Sequence, residues 1–462
     1  MKFYNTLTKK IDEFIPNEEG KISMYTCGPT VYHYAHIGNI RTYISEDLFE
    51  KTFNYLGYDV KRVMNITDVG HLKSDGDTGE DKMSIAAKRE HKSSHEIASY
   101  YTNAFFEDCD LVNIKKPDVV SKATDNIALY IKMIEKLLSE DKAYISNGNI
   151  YFDTSKDQTY YELSGRNADD LLVAVRSDIE EDQHKKNPFD FGLWFTNSKF
   201  SNQELQWDSP WGRGYPGWHI ECSAIAIKYL GEHLDIHMGA EDAIFPHHTN
   251  EIAQSEAYLN HKWCNYWVHL SFLNINNEKM SKSNGDILRV KDLKEKGFNP
   301  LSYRLFVINS YYHKQVNFSF ETLKQVENTY NKLKNKISLI KDEGSYDDGI
   351  FNDWDNKFKE YISNDLNTAN AMTLLYDLLK SDVCGKIKLK LIESWDKVFS
   401  LDLLKNDRTI VDDDEILDLI EKRDELKKQK KYEEADKIRD DLLDRGIKLI
   451  DGREKTTYEL IK

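Results

Sequence analysis

Two cysteines, one histidine and one glutamate in this sequence have side chains that could bind one metal ion together. They are Cys27, Cys222, His247 and Glu251. Because His247 and Glu251 are four positions apart, a helix would place both on the same face. Two thiolates, an imidazole and a carboxylate form a reasonable tetrahedral set for zinc. The residues are scattered and do not form CxxC pairs, so spacing alone leaves inert core cysteines and a helix-start histidine as the alternative.

A second group, His36-Ile37-Gly38-Asn39, could bind phosphate. It stands between a stretch with a strand-like pattern and a stretch with a helix-like pattern. A glycine lets a ligand approach the backbone closely, and a helix N-terminus attracts anions. His36 could then donate a hydrogen bond to a phosphate oxygen. Taken alone, the tetrapeptide also fits an ordinary strand-to-helix turn with a surface histidine.

A third group is the segment Lys279-Met280-Ser281-Lys282-Ser283. Two lysines in a small polar loop suit the stabilisation of a polyphosphate, because each lysine carries a mobile point charge. A flexible basic surface loop is the alternative when the segment is considered alone.

The elements that must position these groups follow an α/β pattern. Residues 21–26 alternate like a half-buried strand, residues 38–56 have a helix-like pattern, and residues 58–65 predict a second strand. A strand, a helix and a strand within about 45 residues predict a βαβ unit. Ligands in such folds bind at the carboxyl ends of the strands, which here are Cys27 and residues 65–68.

The two candidate phosphate-binding motifs are HIGN, at the start of a βαβ unit, and KMSKS, some 240 residues later. In this order they resemble the motifs of the class I aminoacyl-tRNA synthetases. The segments around the metal candidates resemble the cysteinyl-tRNA synthetase family within that class. The segments that carry the resemblance are PGWHIECS, FPHHTNEIAQ, NITDV, LSGR, KNPFDF, SPWG, DLNT and ADKIR. Because they are spread along the sequence, the resemblance covers essentially the whole chain.

The resemblance implies ATP-dependent attachment of L-cysteine to cysteine tRNA through a cysteinyl-adenylate. It also implies that zinc selects the substrate thiolate and that Mg²⁺ accompanies ATP. Two alternatives share parts of this pattern: a cysteine ligase that acts on an amino-sugar acceptor, and a non-catalytic tRNA-binding relative. The helical C-terminal third argues against the first, and the intact motif residues argue against the second.

The resemblance assigns roles to individual residues. The implied ATP-binding residues are His36, Gly38, Asn39, Lys279, Met280, Ser281, Lys282 and Ser283, of which His36, Asn39, Lys279 and Lys282 are implied to be catalytic. The implied contacts to substrate cysteine are Thr67, Trp218 and His237. One zinc ion is implied on Cys27, Cys222, His247 and Glu251, with His248 as the adjacent alternative to His247. Tyr215 and Asn284 depart from residues that are frequent in the family.

The expected fold is α/β: a Rossmann-like parallel-sheet catalytic domain, split by a connective insertion and followed by helical tRNA-binding domains. The expected segments are 1–120 and 201–275 for the two halves of the catalytic domain, 121–200 for the insertion, 276–320 for the lysine loop and stem-contact region, 321–405 for a helical bundle and 406–462 for an anticodon-binding extension. Asp436 and Asp451 are the candidate anticodon contacts in that extension.

Composition and charge add further expectations. The chain has no apolar run of about 20 residues, which predicts no membrane span. Its five cysteines do not suggest a disulfide framework, so we expect a cytoplasmic protein. We also expect a monomer. The net charge of −16 argues against nucleic acid, but residues 279–341 contain 13 Lys and Arg against five Asp and Glu, a local charge of +8. This basic segment could contact tRNA phosphates.

Overall fold

The structure is a computed structural model in which the described residues form two compact units. It describes residues 1–69, 82–166, 184–197, 205–275, 278–279, 287–405, 413–444, 447–452 and 456–460. The units are Met1–Leu404 and Lys405–Lys462. The finer division into six segments remains a prediction.

A parallel sheet of five strands forms the centre of the first unit. The strands are β1 (Lys21–Thr26), β2 (Asp59–Ile66), β3 (Val119–Lys122), β4 (Leu234–Ala240) and β5 (Cys264–Leu270). Their order across the sheet is β5-β4-β1-β2-β3, and every neighbouring pair is parallel. The order reverses between β1 and β4, and ligands of open α/β sheets bind at the carboxyl ends of the strands at such a reversal. The predicted parallel-sheet class is therefore confirmed.

Three helices pack on this sheet and carry the candidate residues Gly38, Asn39, Trp218, Cys222 and Glu251. They are α1 (Ile37–Tyr55), α2 (Trp218–Leu230) and α3 (Thr249–Leu259). Helix α1 connects β1 to β2 as predicted, and it buries Ile37, Ile40 and Ile44 completely. Helix α2 ends at Gly231, whose φ of +88° is the left-handed conformation that glycine adopts at helix ends.

In its described residues, the insertion between β3 and α2 contains an antiparallel sheet and an α-helix. The helix is Ile127–Ser139, and the strands are Ala143–Ser146, Asn149–Phe152, Phe191–Phe195 and Tyr215–Pro216. The buried carboxylate of Asp190 accepts hydrogen bonds from Thr154, Asn187 and Tyr144. Asp190 of the KNPFDF segment therefore holds the start of the strand Phe191–Phe195 to other parts of the insertion. Tyr215, one of the two departures from the family, is a buried strand residue whose ring stacks on Phe195.

The remaining elements of the first unit surround the central sheet. The strands are Lys2–Asn5, Lys10–Glu13, Leu273–Ile275, Glu278–Lys279 and Val316–Phe318. The helices are Lys82–Glu90, Ser94–Leu111, Val290–Glu295, Pro300–Ile308, Phe320–Ser338, Asp348–Ser363, Thr368–Lys380 and Gly385–Phe399. The C-terminal part of this unit is therefore mainly helical, as predicted.

Two buried arginines connect α1 to the helical part of this unit and to backbone segments near residues 271–272 and 311–314. Arg304 donates to Asp47 of α1 at 2.6 Å and to the Phe399 carbonyl oxygen at 2.6 Å. Arg41 of α1 donates to the carbonyl oxygens of residues 271, 272, 311 and 314. The helix that begins next to His36 is therefore held firmly along its length.

The second unit contains two helices and a hairpin. The helices are Asp413–Lys428 and Tyr432–Asp444, and the hairpin strands are Ile447–Asp451 and Thr456–Leu460. Ile416, Ile420, Leu442 and Ile447 form its core. This hairpin, in which the last segment pairs as antiparallel strands, was not predicted from the sequence. Among the described residues of the whole chain, no helix has the length and apolar character needed to cross a membrane.

Candidate active site

The four predicted metal ligands lie together at the carboxyl end of β1. Cys27 follows β1, Cys222 is in α2, His247 is in the turn Ile244–His248, and Glu251 is in the first turn of α3. The two sulfur atoms are 3.9 Å apart, and His247 Nε2 lies 3.7 Å from Cys27 Sγ and 3.6 Å from Cys222 Sγ. Glu251 Oε1 is 2.9 Å from the same nitrogen. All four donor atoms lie within 4.8 Å of one another.

This arrangement fits a tetrahedral zinc ion. Zinc bonds of about 2.3 Å to sulfur and about 2.0–2.1 Å to nitrogen imply separations between donors of about 3.3–3.8 Å. Three donor distances that involve sulfur are between 3.6 and 3.9 Å, close to this range. His247 Nε2 and Glu251 Oε1 are 2.9 Å apart, the distance of a hydrogen bond that zinc would replace. The donor set of two sulfurs, one nitrogen and one oxygen is also one that zinc accepts.

A second donor set overlaps the first. Cys27, His237, His248 and Glu251 also bring their donor atoms within 4.8 Å of one another. His248 Nε2 lies 3.3 Å from Cys27 Sγ, which is closer than His247 Nε2. Geometry therefore leaves His248 open as the alternative histidine that the sequence already indicated.

Residues behind the cluster hold each of these histidines. His247 Nδ1 is 2.9 Å from His219 Nδ1, and His248 Nδ1 is 2.7 Å from His269 Nε2. In both cases the second nitrogen, Nε2, faces the cysteines, as is usual for metal-binding histidines that have an outer hydrogen-bond partner. Gly239 of β4 makes room for His248, since a Cβ there would lie 2.7 Å from its ring. His219 and His269 were not predicted as partners from the sequence.

The protonation of the four donors is mutually dependent. Burial raises the pKa of Glu251, but the neighbouring His237 and His247 lower it to about 2. Burial lowers the pKa of His247, but Glu251 and Cys222 raise it to about 10. The pKa of Cys222 is about 6, because hydrogen bonds with Cys27 and His247 outweigh the effect of burial. The hydrogen bond with Cys222 and burial raise the pKa of Cys27 well above its usual value.

His36 and Asn39 form the N-terminal cap of α1. The backbone amide of Asn39 donates to His36 Nδ1 at 3.1 Å, and the backbone amide of His36 donates to the side-chain oxygen Oδ1 of Asn39 at 3.2 Å. Because Nδ1 accepts, the proton of the neutral ring is on Nε2, which is therefore a donor. A Cβ on Gly38 would lie 3.0 Å from His36 Nδ1, so the glycine also leaves space for the histidine itself.

The lysine segment falls mostly outside the described residues. Lys279 is described in its backbone alone, in the short strand Glu278–Lys279, where it is paired with Asn274. Met280, Ser281, Lys282, Ser283 and the departure at Asn284 lie outside the described residues. Their assigned roles remain predictions.

Comparison with known proteins identifies the family. A model of the class I (C) tRNA synthetase catalytic domain matches residues 13–328. The chain is 45% identical to the cysteine–tRNA ligase of Treponema denticola over 99% of both chains. It is 40% identical to that of Clostridioides difficile over 100% of both chains. The chain belongs to the cysteine–tRNA ligase family. The resemblance to class I synthetases is thereby confirmed.

A solved structure supports the same fold at a lower level of similarity. The Mycobacterium tuberculosis methionyl-tRNA synthetase in complex with methionyl-adenylate aligns with 87% of this chain and 94% of its own, with a TM-score of 0.56 and 15% sequence identity. At this identity the similarity concerns the fold, which is a class I synthetase fold, and the family membership rests on the sequence comparisons.

Two of the three residues predicted to contact substrate touch the donor cluster directly, and their role remains a prediction. Trp218 stacks on His247, with ring centroids 4.1 Å apart, and His237 Nε2 is 2.8 Å from Glu251 Oε2. Thr67 lies at the end of β2, where its hydroxyl donates to Glu221 at 2.9 Å. Sequence reasoning missed Glu221, a fully buried side chain whose pKa burial raises.

The two candidate anticodon residues both have partners within the second unit. Asp436 pairs with Arg439 at 2.8 Å. Asp451 receives two hydrogen bonds from Arg423, at 2.8 and 3.0 Å, and a contact from Lys427. These bonds hold the pKa of Asp451 well below its usual range. Both side chains are about half exposed, and their role in anticodon recognition remains a prediction.

Proposed function

We propose that this chain attaches L-cysteine to cysteine tRNA in an ATP-dependent reaction through a cysteinyl-adenylate. The observation that supports this most directly is the donor cluster of Cys27, Cys222, His247 and Glu251 at the carboxyl end of β1. A cluster with two sulfur donors at this point suits recognition of a thiol substrate. The family membership supplies the reaction class.

ATP would bind at the start of α1. His36 Nε2 would donate to a phosphate oxygen, and the positive end of the α1 dipole would stabilise its negative charge. Asn39 would act mainly by fixing His36: its side-chain oxygen accepts from the His36 backbone amide, and its own backbone amide donates to the His36 ring. Lys279 and Lys282, with Mg²⁺, would offset charge that develops on the phosphates.

The reaction needs no nucleophile from the protein. The carboxylate of cysteine attacks the α-phosphorus and pyrophosphate leaves, which forms the adenylate. A ribose hydroxyl at the end of the tRNA then attacks the adenylate carbonyl carbon, and AMP leaves. The chain contributes positioning and charge stabilisation.

The metal cluster would provide discrimination between cysteine and serine. These two amino acids are nearly isosteric, and pocket shape separates such pairs poorly. A zinc ion bound by Cys27, Cys222, His247 and Glu251 would favour a thiolate over an alcohol. Trp218 and Thr67 would border the same pocket, since Trp218 stacks on His247 and Thr67 is fixed by Glu221.

Aminoacylation with cysteine and with serine tests this proposal. Purified protein should charge tRNA with cysteine, and it should discriminate strongly against serine. Metal analysis of the same sample should find one zinc per chain. Adenylate formation without transfer to tRNA would favour the amino-sugar ligase instead. Absence of cysteine-dependent pyrophosphate exchange would favour a non-catalytic tRNA-binding protein.

A further inference from the structure

The backbone next to His36 is held by two residues outside the predicted motifs. The Ile37 amide donates to the Leu288 carbonyl oxygen at 2.9 Å. The Tyr303 hydroxyl donates to the Ile37 carbonyl oxygen at 2.7 Å. Because His36 directly precedes this residue, the position of the His36 ring depends on where Leu288 lies.

Arg289 is the next residue and fastens this segment to the helix Ser94–Leu111. Its Nε donates to Asp108 Oδ2 at 3.0 Å, and its Nη2 donates to the Ala104 carbonyl oxygen at 3.4 Å. The Lys291 amide donates to the other oxygen of Asp108 at 3.1 Å. One carboxylate therefore holds both the Arg289 side chain and the backbone two residues later.

Arg289 also contacts the chain on the other side of His36. Its guanidinium carbon lies 3.9 Å from the ring centroid of Tyr34, which stands two residues before His36. The Tyr34 hydroxyl is in turn 2.7 Å from the Tyr100 hydroxyl. Arg289 therefore contacts the chain before His36 at Tyr34, while Leu288 accepts a hydrogen bond from the chain after it at Ile37.

Burial makes the pair of Arg289 and Asp108 sensitive to substitution. Their side chains are 10% and 1% exposed. Removal of one member would leave the other charge buried and unpaired, which is more disruptive than the loss of a surface pair. A lysine would not substitute fully, since an ammonium group lacks the planar fork that bonds two acceptors and stacks on a ring.

We propose that Arg289 is a positioning residue that fixes His36 through Leu288 and Tyr34. This inference rests on the proposed function, because it takes His36 as a contact to ATP. Arg289 acts through other residues, so its loss should lower the rate of adenylate formation without weakening the binding of cysteine. A purely structural role would instead reduce folded protein and bound zinc together.

Cysteine-dependent pyrophosphate exchange by the full-length protein tests the inference. We expect Arg289→Ala to lower kcat about 10- to 100-fold, as small displacements of catalytic groups do. The KM for cysteine should stay within about twofold of wild type, and the zinc content of the folded protein should be unchanged, although the thermal midpoint should fall because Asp108 loses its buried partner. Arg289→Lys should recover only part of the loss. Arg213→Ala, which removes an exposed arginine in the insertion, is the matched control and should behave as wild type.

Three outcomes would count against the inference. An unchanged kcat in Arg289→Ala would overturn it, and so would a loss of kcat that only parallels a loss of folded, zinc-containing protein. If Arg289→Ala fails to fold, Asp108→Asn provides the same comparison, because it removes the charge and keeps the shape of the side chain. Absence of exchange in the wild type would contradict the proposed function, and the inference with it.

Discussion

His247 and His248 both direct Nε2 toward Cys27, and a tetrahedral site with Glu251 and Cys222 needs only one of them. Cys222 belongs to the first donor set alone, and His248 belongs to the second set alone. Substitution of these two residues therefore separates the two possible sites.

We predict that Cys222→Ser lowers the zinc content and raises the KM for cysteine about tenfold or more. The reason is that the first set loses a sulfur donor. His248→Asn should leave the zinc content near that of wild type. Metal analysis and pyrophosphate exchange measure both effects, and the KM for ATP serves as the internal control because it should change little. Loss of zinc in His248→Asn but not in Cys222→Ser would show that the second set is the site.

The pKa values of the cluster predict proton release when zinc binds. The pKa of His247 is raised to about 10 and that of Cys27 is also raised, so both side chains hold a proton at neutral pH. Cys222, with a pKa of about 6, and Glu251, with a pKa of about 2, have largely lost theirs. Zinc binding must therefore displace about two protons, and the affinity for zinc should increase as the pH rises.

Calorimetric titration of metal-depleted protein with zinc, in two buffers of different ionisation enthalpy, measures this release. The Cys222→Ser variant provides a comparison in which the site has lost one ligand. A zinc affinity that stays constant from about pH 6 to about pH 8 would contradict the predicted protonation.

At the residue scale, the donors could be predicted and their partners could not. Thiol, imidazole and carboxylate groups have recognisable metal chemistry in any sequence. His219 and Glu221 look like ordinary helix residues until the fold brings them against His247 and Thr67. Gly239 was an available signal for the close approach of His248 alone, because a glycine inside a strand indicates a close approach by another group.

At the scale of elements, long and regular patterns predicted well and short ones did not. Helix α1 and strand β2 lie within one or two residues of their predicted bounds. The C-terminal hairpin was missed because its strands, Ile447–Asp451 and Thr456–Leu460, are only five residues each and follow two helices. Their pairing depends on contact between Ile447 and the helix core, which no local pattern reveals.

We predict that Arg304→Met destabilises the first unit by about 3–5 kcal/mol, because it leaves Asp47 buried with less compensation. Arg304 joins three elements through Asp47, the Val112 carbonyl oxygen and the Phe399 carbonyl oxygen. Urea denaturation measures the change. Lys380→Met, which removes an exposed pair, should cause no measurable loss. Equal stability of the two variants would show that Arg304 is not a structural connection between these elements.

At the scale of the whole molecule, the negative net charge and the basic segment 279–341 act in different ways. The segment has a charge of +8 in a chain of −16, so the remainder carries −24. Lys332 and Lys336 are exposed on the helix Phe320–Ser338. This separation predicts tRNA binding through one basic surface, while the acidic remainder disfavours nonspecific binding.

We predict that the KM for tRNA rises steeply with salt, while cysteine-dependent pyrophosphate exchange changes little. The reason is that phosphate contacts release counterions and small-substrate contacts do so far less. The double variant Lys332→Glu and Lys336→Glu should reduce the salt slope by about two. Lys357→Glu, an exposed lysine on another helix, is the matched control. An unchanged slope in the double variant would exclude this helix from the tRNA-binding surface.

The fold class could be predicted from the alternation of strands and helices, since each kind of element has its own period. The position of the site followed from it, because parallel strands bring their carboxyl ends to one edge. The bonds by which Arg41 and Arg304 anchor α1 could not be predicted, because they reach backbone carbonyl oxygens in distant segments.

The separation of the metal ligands along the chain has a consequence for folding. Cys27 and Cys222 are 195 positions apart, and Cys27 and His247 are 220 positions apart. An ion shared by these residues would act as a removable cross-link, and cross-links that close long loops restrict the unfolded chain most. The supply of metal would then govern how much of the polypeptide stays folded, in addition to which amino acid it accepts.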